Sequence, residues 1–472
     1  MKIEELFDNV KQRATGIATS SENLEKNCVF VCIKGVSADG HDFAEKALRL
    51  GASFIVCEKD LGLPNQIVVD NTREAYATLC AKWFDCPAQK MKMIAVTGTN
   101  GKTTTTTIIK RVLNQLTGKP IGLIGTIQSE IGEIAFPAKY TTPEPFELNT
   151  LLARIRRVNC DYVVMEASSH ALEQQRLFGL NFEVSAFTNL THDHLDYHGD
   201  MENYFRSKSR LFEFSKRAVI NVDDAHGLSL FKSLSKEKKC CSVGINSDAD
   251  IIARNIEYFA NKVEFDVEAD GSVAHCVFKM PGKFSVENAL VVIGVVLSLG
   301  FNLNEIVEAI GNCGGVSGRS EVIYCDESVT IIRDYAHGPD GLLNILQTIR
   351  PFVQGRLVLL FGCAGKRDRT KRKEMGEIAS QYSDFVVISS DNPRDEDEMQ
   401  IINDAKEGIK EVPCEVFANR LEATKFVLKN RKPKDLILLA GKGHEDYQVL
   451  ADCTVYFDEK RIVEEFLGRK DI

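Results

Sequence analysis

The stretch Met93–Leu116, MIAVTGTNGKTTTTTIIKRVLNQL, decides the fold. An apolar run rich in β-branched residues passes through Gly98, Thr99, Asn100 and Gly101 into Lys102, Thr103 and Thr104, and then into a helical pattern. Glycines let backbone N–H groups approach phosphate oxygens, and a helix N-terminus adds partial positive charge. Lys102 can reach the β- and γ-phosphates, and Thr103 can hold Mg²⁺. Val96 stands where the general Gly-x-x-x-x-Gly-Lys-Thr pattern has its first glycine, so this is a shorter Gly-x-x-Gly-Lys-Thr-Thr loop. The five threonines from Thr103 to Thr107 are poor helix formers. An ordinary strand–turn–helix leaves them unexplained, whereas a nucleotide-binding loop does not.

Outward from this loop, short apolar runs alternate with helical ones. ASFIVCE, DYVVMEAS, SAFTNL, RAVINV, RLVLLFG, DFVVISS and DLILLAG read as strands, and the alternation predicts α/β layers with mainly parallel sheets. Ile251–Met280 differs: its alternating runs KVEFDVEAD and SVAHCVFKM, joined at Gly271, predict a β-hairpin excursion. The length of 472 residues allows about three domains at roughly 150 residues each. Pro-containing CPAQKMK and Gly-rich GNCGGVSGRSE place the boundaries at about 1–88, 89–315 and 316–472.

Hydrophobic residues make up 44% and charged residues 26%, which excludes a fibrous, disordered or membrane-embedded chain. With 58 basic and 67 acidic residues the net charge is −9, so a nucleic-acid or anionic-membrane coat is not expected and positive charge must be local. Fourteen cysteines include no Cys-x-x-Cys pair; scattered free thiols point to a reducing compartment, hence the cytoplasm. Cys28 and Cys32 are expected to point the same way from one strand. Met1–Val10 has an amphipathic helical pattern rather than a signal-peptide one. The longest uncharged run, Asn288–Asn304, reads as a buried helix rather than a membrane span.

THDHLDYHG packs His192, Asp193, His194, Asp196 and His198 together. The spacing misses the His-x-His-x-Asp-His signature of lactamase-type zinc hydrolases by Tyr197; a Mg²⁺ ligand beside a nucleotide is the competing reading. In MENYFRSKSRLFEF, read as one helix, Lys208 has Tyr204, Phe205, Leu211 and Phe212 on its own face. A buried ammonium is costly unless it is paired, neutralised or chemically used. Glu166 ends a strand where α/β sheets bind ligands, and a following serine can cap a helix.

These residues, with TTPEP, RDYAHGPD, GCAGKRDRTKR, DNPR and GKGHEDYQ, make the whole chain resemble the Mur ligases of peptidoglycan synthesis. The resemblance implies an α/β fold of three domains. These are a UDP-sugar domain, a central ATPase-like parallel sheet and a C-terminal Rossmann-like domain that binds the amino acid. It implies ATP as substrate, Mg²⁺ as cofactor, an acyl-phosphate intermediate and a monomer. By motif, the ATP loop is Gly98–Thr104 with Lys102 at its centre, and Asn288, Arg319, Asp334 and His337 match further nucleotide contacts. Thr103, Glu166, His194 and Lys208, the last as a CO₂-derived carbamate, match the metal region. Ser21, His41, Thr141, Thr142, Ser169, Gln174 and Arg176 match contacts with UDP-N-acetylmuramoyl-L-Ala-D-Glu.

The motifs resemble most the members that add the third residue of the stem peptide. Arg394 in Asp391-Asn392-Pro393-Arg394 presents a planar fork suited to a carboxylate, which meso-diaminopimelate has at its distal end and lysine lacks. Arg367, Gly441 and Glu445 complete that expected site, Glu445 receiving the distal ammonium. DNPRDEDE also reads as a polar turn capping a helix, its acid run solvated. Ser317, Gly338, Lys366 and Lys373 depart from the family pattern, the last two beside Arg367. The alternatives are a lysine- or folate-type ligase, a zinc hydrolase and a non-catalytic nucleotide-binding module.

Overall fold

The computed structural model describes residues 14–22, 24–35 and 38–468. The amphipathic pattern of Met1–Val10 lies outside them. The chain forms two compact units. One runs to Ile251 and takes back Val291–Asn302; the other holds Ile252–Leu290 and the chain from Leu303 onward.

The first unit contains two sheets. β1 (Ile17–Ala18), β2 (Val29–Val31), β3 (Phe54–Cys57) and β4 (Gln66–Val68) form a parallel sheet in chain order. Its two faces pack separate cores. Cys28, Phe30 and Cys32 lie in one and Val29 and Val31 in the other, so the two cysteines share a face as the period of two requires. The second sheet is built from β5 (Lys92–Thr97), β6 (Gly122–Ile124), β7 (Gln128–Ile131), β8 (Ile134–Pro137), β9 (Tyr162–Glu166), β10 (Phe182–Phe187), β11 (Arg217–Asn221) and β12 (Lys239–Gly244). Their order is β12-β11-β10-β5-β9-β6-β7-β8. β5 lies between β9 and β10, parallel to both, with Val96 opposite Glu166 and Thr97 opposite Phe187. That register delivers the loop after β5, the end of β9 and the exit from β10 to one edge.

The helix Lys102–Thr117 buries Thr103–Thr106 as well as Ile108, Ile109, Val112 and Leu113. Threonine hydroxyls are admissible in that interface because they find partners. Thr106 Oγ1 donates to Thr103 O at 3.2 Å and Thr103 Oγ1 to Glu166. The segment expected to be one helix around Lys208 is an α-helix, Met201–Ser209, that tightens into a 3₁₀ turn, Arg210–Phe214. The tightening keeps Leu211 and Phe212 fully buried while Glu213 stays exposed.

The second unit opens with the hairpin excursion: β13 (Ile251–Tyr258), β14 (Val263–Ala269) and β15 (Ser272–Phe278), the last two antiparallel. Asp270 and Gly271 at the turn both have positive φ, as a tight two-residue hairpin loop demands. The C-terminal sheet comprises β16 (Glu321–Cys325), β17 (Val329–Asp334), β18 (Leu357–Cys363), β19 (Phe385–Ser390), β20 (Cys414–Phe417) and β21 (Asp435–Ala440), in the order β16-β17-β21-β18-β19-β20. All pairs but β16–β17 are parallel. β22 (Tyr447–Val449) and β23 (Thr454–Tyr456) form a separate antiparallel ribbon. Among the described residues no helix is long and apolar enough to cross a membrane.

The second unit's core contains a fully buried ion pair, Arg420 Nε to Glu459 Oε1 at 2.8 Å, with Arg420 Nη2 donating to Ala440 O at 2.8 Å. Removing one partner strands the other charge in a dry interior. Arg420→Ala is therefore expected to lower stability by about 3–5 kcal/mol. The double change Arg420→Met with Glu459→Leu should recover most of that loss in calorimetric melts.

Candidate active site

At the carboxyl edge of β5, Gly98 is required by space: a Cβ there would collide with Thr188 Oγ1. The loop is fastened to the β10 exit. Thr99 N donates to Asn189 O at 2.8 Å, Asn100 N to Asn189 Oδ1 at 2.9 Å and Thr188 Oγ1 to Asn100 O at 2.6 Å. Gly101, at φ +83°, precedes Lys102–Thr117 and offers no side-chain cap, as the approach of a phosphate requires. Lys102 Nζ folds back to Gly98 O at 3.0 Å and Thr99 O at 2.9 Å.

Lys208 shares that acceptor. Its Nζ donates to Gly98 O at 2.7 Å and lies 4.5 Å from the centroid of the Tyr204 ring. Only 1% of the residue is exposed. Burial, reinforced by the charge of Lys102 and opposed by Asp193, pushes the amine's pKa well below the lysine range. Burial in the apolar stripe therefore favours the neutral amine over the ammonium.

Glu166 is equally buried and fully engaged. Its Oε1 accepts from Thr126 N at 2.8 Å; its Oε2 accepts from Thr103 Oγ1 at 3.1 Å and Thr126 Oγ1 at 2.9 Å. Thr126 was not legible in the sequence, being one threonine among many; its hydroxyl also lies 3.1 Å from Thr141 Oγ1. Glu166 Oε2 and Thr103 Oγ1 form the pair of hard oxygen donors that Mg²⁺ takes while keeping waters and phosphate oxygens, so this chemistry fits the ion. Among the described residues no three His, Cys, Asp or Glu side chains gather as a metal cage. The histidine run accordingly splits up. His194, at φ +53°, begins the short turn Leu195–His198 beside Asp193. His198 Nε2 is bonded to Ser169 Oγ at 3.0 Å. His170 packs against His194, Tyr197 and His198, and burial lowers its pKa to about 4.

Around this centre Thr142 Oγ1 donates to Glu166 O at 2.8 Å and accepts from Ser168 N at 3.0 Å. Ser168, not Ser169, caps the helix Ser169–Glu173. Arg176 reaches Thr142 O at 2.8 Å, Gln174 Oε1 at 2.7 Å and Glu144 Oε1 at 2.8 Å. Of the two N-terminal candidates, Ser21 is buried. His41 already has both nitrogens occupied, Nδ1 by Asp39 Oδ1 at 2.6 Å and Nε2 by Glu58 N at 2.9 Å, which makes it a brace within its own sheet. The two sheets are stitched together next to Arg176, where Gln175 bonds Asn71 and Glu74 at 2.9 and 3.0 Å.

In the second unit, Asp334, Gly441 and the Asp391 turn lie together at the carboxyl edge of β17, β21 and β19, the edge where open α/β sheets bind ligands. Asp334 Oδ2 accepts from Ser320 N at 2.6 Å, and its Oδ1 from Ala336 N at 2.8 Å; burial raises its pKa. Arg319 lies over the Tyr335 ring at 4.9 Å, the His337 ring packs 4.7 Å from the same tyrosine, and Asn288 is buried in the helix Lys283–Ser298. Ser317 answers its departure from the family pattern by accepting from Arg333 Nη2 at 3.2 Å.

Asp391, Asn392 and Pro393 are buried, and Arg394, at φ +56°, donates through Nη1 to Gly365 O at 2.7 Å. Arg367 is exposed one loop away and Lys366 pairs with Asp395 at 2.5 Å. Asp397 caps the next helix, as expected of the turn. The acid run is not simply solvated, however. Glu396 pairs with Arg369 at 2.7 Å and with the buried Arg372 at 2.9 Å, because Arg372 needs a counter-charge where water cannot reach it. Glu445 Oε2 is held by Asn392 Nδ2 at 3.0 Å and by Lys442 Nζ at 2.6 Å. Lys442 and His444 were missed by sequence reasoning, though the two glycines flanking Lys442 mark a backbone turned to bury it.

Three family models match the chain: Mur ligase family, catalytic domain, over residues 13–83; Mur ligase middle domain, over 96–296; and Mur ligase, glutamate ligase domain, over 318–443. The chain is 42% identical to a UDP-N-acetylmuramoyl-L-alanyl-D-glutamate--2,6-diaminopimelate ligase of Clostridium acetobutylicum, covering 99% of this chain and 97% of that protein. A solved structure of a ligase of that name superposes with a TM-score of 0.72 at 32% identity, over 96% and 94% of the two chains. A MurF ligase from Thermotoga maritima, solved with ADP, shares the fold at 20% identity and a TM-score of 0.62, over 97% and 98% of the two chains.

The lowered pKa of Lys208 has a measurable consequence. Its folded pKa is depressed, so between that value and the ordinary 10.5 the unfolded chain binds a proton that the folded unit does not. Stability therefore rises with pH up to about 10.5, by at most about 1.4 kcal/mol per pH unit from this group. In CO₂-free buffer, Lys208→Met should flatten that rise, read from melting temperatures between pH 7 and 10.

Proposed function

The chain belongs to the Mur ligase family, and on that premise we propose that it joins meso-diaminopimelate to UDP-N-acetylmuramoyl-L-Ala-D-Glu at the expense of ATP. The observation that carries the chemistry is the pairing of the Gly98–Thr104 loop with buried Glu166 and buried Lys208 at one sheet edge. A carboxylate is a poor electrophile. Transfer of the γ-phosphoryl group makes it an acyl phosphate, which the incoming amine attacks to form the amide and release phosphate.

The residues divide this work. Backbone N–H groups at the start of Lys102–Thr117 and the Lys102 ammonium, released from Gly98 O and Thr99 O, hold the triphosphate. Thr103 and Glu166 would hold Mg²⁺, with His194 beside them. The bound ion would neutralise charge on the transferring phosphoryl group. Lys208, whose burial favours the nucleophilic free amine, suits reaction with CO₂: a C–N bond forms, a proton leaves, and a buried amine becomes a carbamate anion. Thr141, Thr142, Ser169, Gln174 and Arg176 position the dipeptide carboxylate. Asn288, Arg319, Asp334 and His337 contribute to the nucleotide and Ser21 to the UDP-sugar, while His41, its nitrogens taken by Asp39 and Glu58, braces the loops of that site. The division at residues 88/89 and 315/316 assigns these tasks to three domains.

Acceptor choice rests on charge. Arg394 and Arg367 receive the distal carboxylate, while Glu445 with Asn392 receives the distal ammonium, Asp391, Pro393 and Gly441 shaping the turn. Lysine would leave the guanidinium without its partner. The test is ADP formation with ATP, Mg²⁺ and the UDP-dipeptide, comparing meso-diaminopimelate with L-lysine. Turnover with diaminopimelate and little with lysine is expected; the reverse preference would remove the role given to Arg394. Lys208→Ala should abolish turnover, by at least about 10³-fold, while leaving the fold intact by circular dichroism.

A further inference from the structure

We propose that Lys442 is a positioning residue for binding of the amino acid: it clasps the two loops that receive the distal ammonium and leaves one Glu445 oxygen free for it. This rests on the reading of the acceptor site given above.

Lys442 follows Gly441 at φ +108° and precedes Gly443 at φ +52°. A Cβ at Gly443 would press on Tyr335 at 2.6 Å. This backbone turns the Lys442 side chain inward, with none of it exposed. Its ammonium donates to Glu445 Oε2 at 2.6 Å and to Asn392 Oδ1 at 3.2 Å, and forms an ion pair with Asp391 Oδ1 at 3.4 Å. The acceptors come from both the Asp391–Arg394 turn and the turn after β21, so a single ammonium ties the two together.

The clasp fixes orientation as well as distance. Asn392 Oδ1 accepts from Lys442 and from Val449 N at 2.9 Å, so its Nδ2 faces Glu445 Oε2. Glu445 Oε2 thereby accepts two hydrogen bonds, and its Oε1 is left to meet a cation. Two carboxylates and one ammonium leave a formal charge of −1 at this point, which suits a single further ammonium. Without Lys442, two carboxylates would face each other and Asn392 Oδ1 would keep only Val449 N as a donor.

Lysine and diaminopimelate both carry the distal ammonium, whereas only diaminopimelate carries the distal carboxylate. The clasp therefore acts on affinity for both acceptors, and Arg394 acts on the choice between them. The experiment measures KM for meso-diaminopimelate, L-lysine, ATP and the UDP-dipeptide in the full-length enzyme, its Lys442→Met and Lys442→Gln variants, and Arg394→Ala. Lys442→Met should raise KM for diaminopimelate by about tenfold or more with KM for ATP and the UDP-dipeptide unchanged. Lys442→Gln, which can still donate to Glu445, should recover part of that loss. The ratio of kcat/KM values for the two amino acids should hold in both Lys442 variants and fall in Arg394→Ala. An unchanged KM for diaminopimelate, an equal rise for all substrates, or unfolding of both Lys442 variants would overturn the proposal. Wild-type enzyme that forms no ADP with diaminopimelate would instead remove the functional reading beneath it.

Discussion

The parallel pairing of β5 with β9 on one side and β10 on the other is the constraint on which the first unit depends. Parallel strands end together, and the register sets Val96 against Glu166 and Thr97 against Phe187. Three loops far apart in the chain thus reach one edge. The Gly98 loop can then be bound by Asn189, Thr103 can reach Glu166, and Lys208 can reach the Gly98 carbonyl. A slip of one residue would turn Glu166 to the opposite face of the sheet and dissolve the arrangement. The close approach of β5 and β10 is also what forbids a side chain at Gly98.

Buried cations are treated in two contrasting ways. Arg420, Arg372 and Lys442 each meet carboxylates, which makes them permanent charges that hold loops or helices in place. Lys208 meets a backbone carbonyl and an aromatic face, with another lysine near, and its pKa is pushed down instead. The difference follows from the competition between desolvation and pairing: a partner carboxylate offsets the cost of burial, and without one the charged form is disfavoured.

Much of this was open to reading in the chain itself. Alternating apolar runs gave the strands because a buried parallel strand must be apolar on both faces. Glycines, lysine and threonines in fixed order gave the phosphate loop because the chemistry admits few other residues. The stripe Tyr204, Phe205, Leu211 and Phe212 announced that Lys208 is buried, although the 3₁₀ turn after Ser209 was hidden, since helix tightening depends on packing rather than periodicity. The acid run after Arg394 looked solvated because its counter-charges, Arg369 and Arg372, sit on a different element.

The sequence by itself determined the elements, the loop chemistry and the burial of Lys208, because each is a local pattern of residue type and spacing. Only the tertiary structure decided what each polar group meets. Thr126 joins Glu166, His41 spends both nitrogens on its own sheet, Glu445 is shared between Asn392 and Lys442, and His194 and His198 pack on His170, with no metal cage among the described residues. Such partners come together through sheet register and loop closure across many residues of chain. No local pattern encodes that distance, so hydrogen-bond partnership is a property of the folded molecule alone.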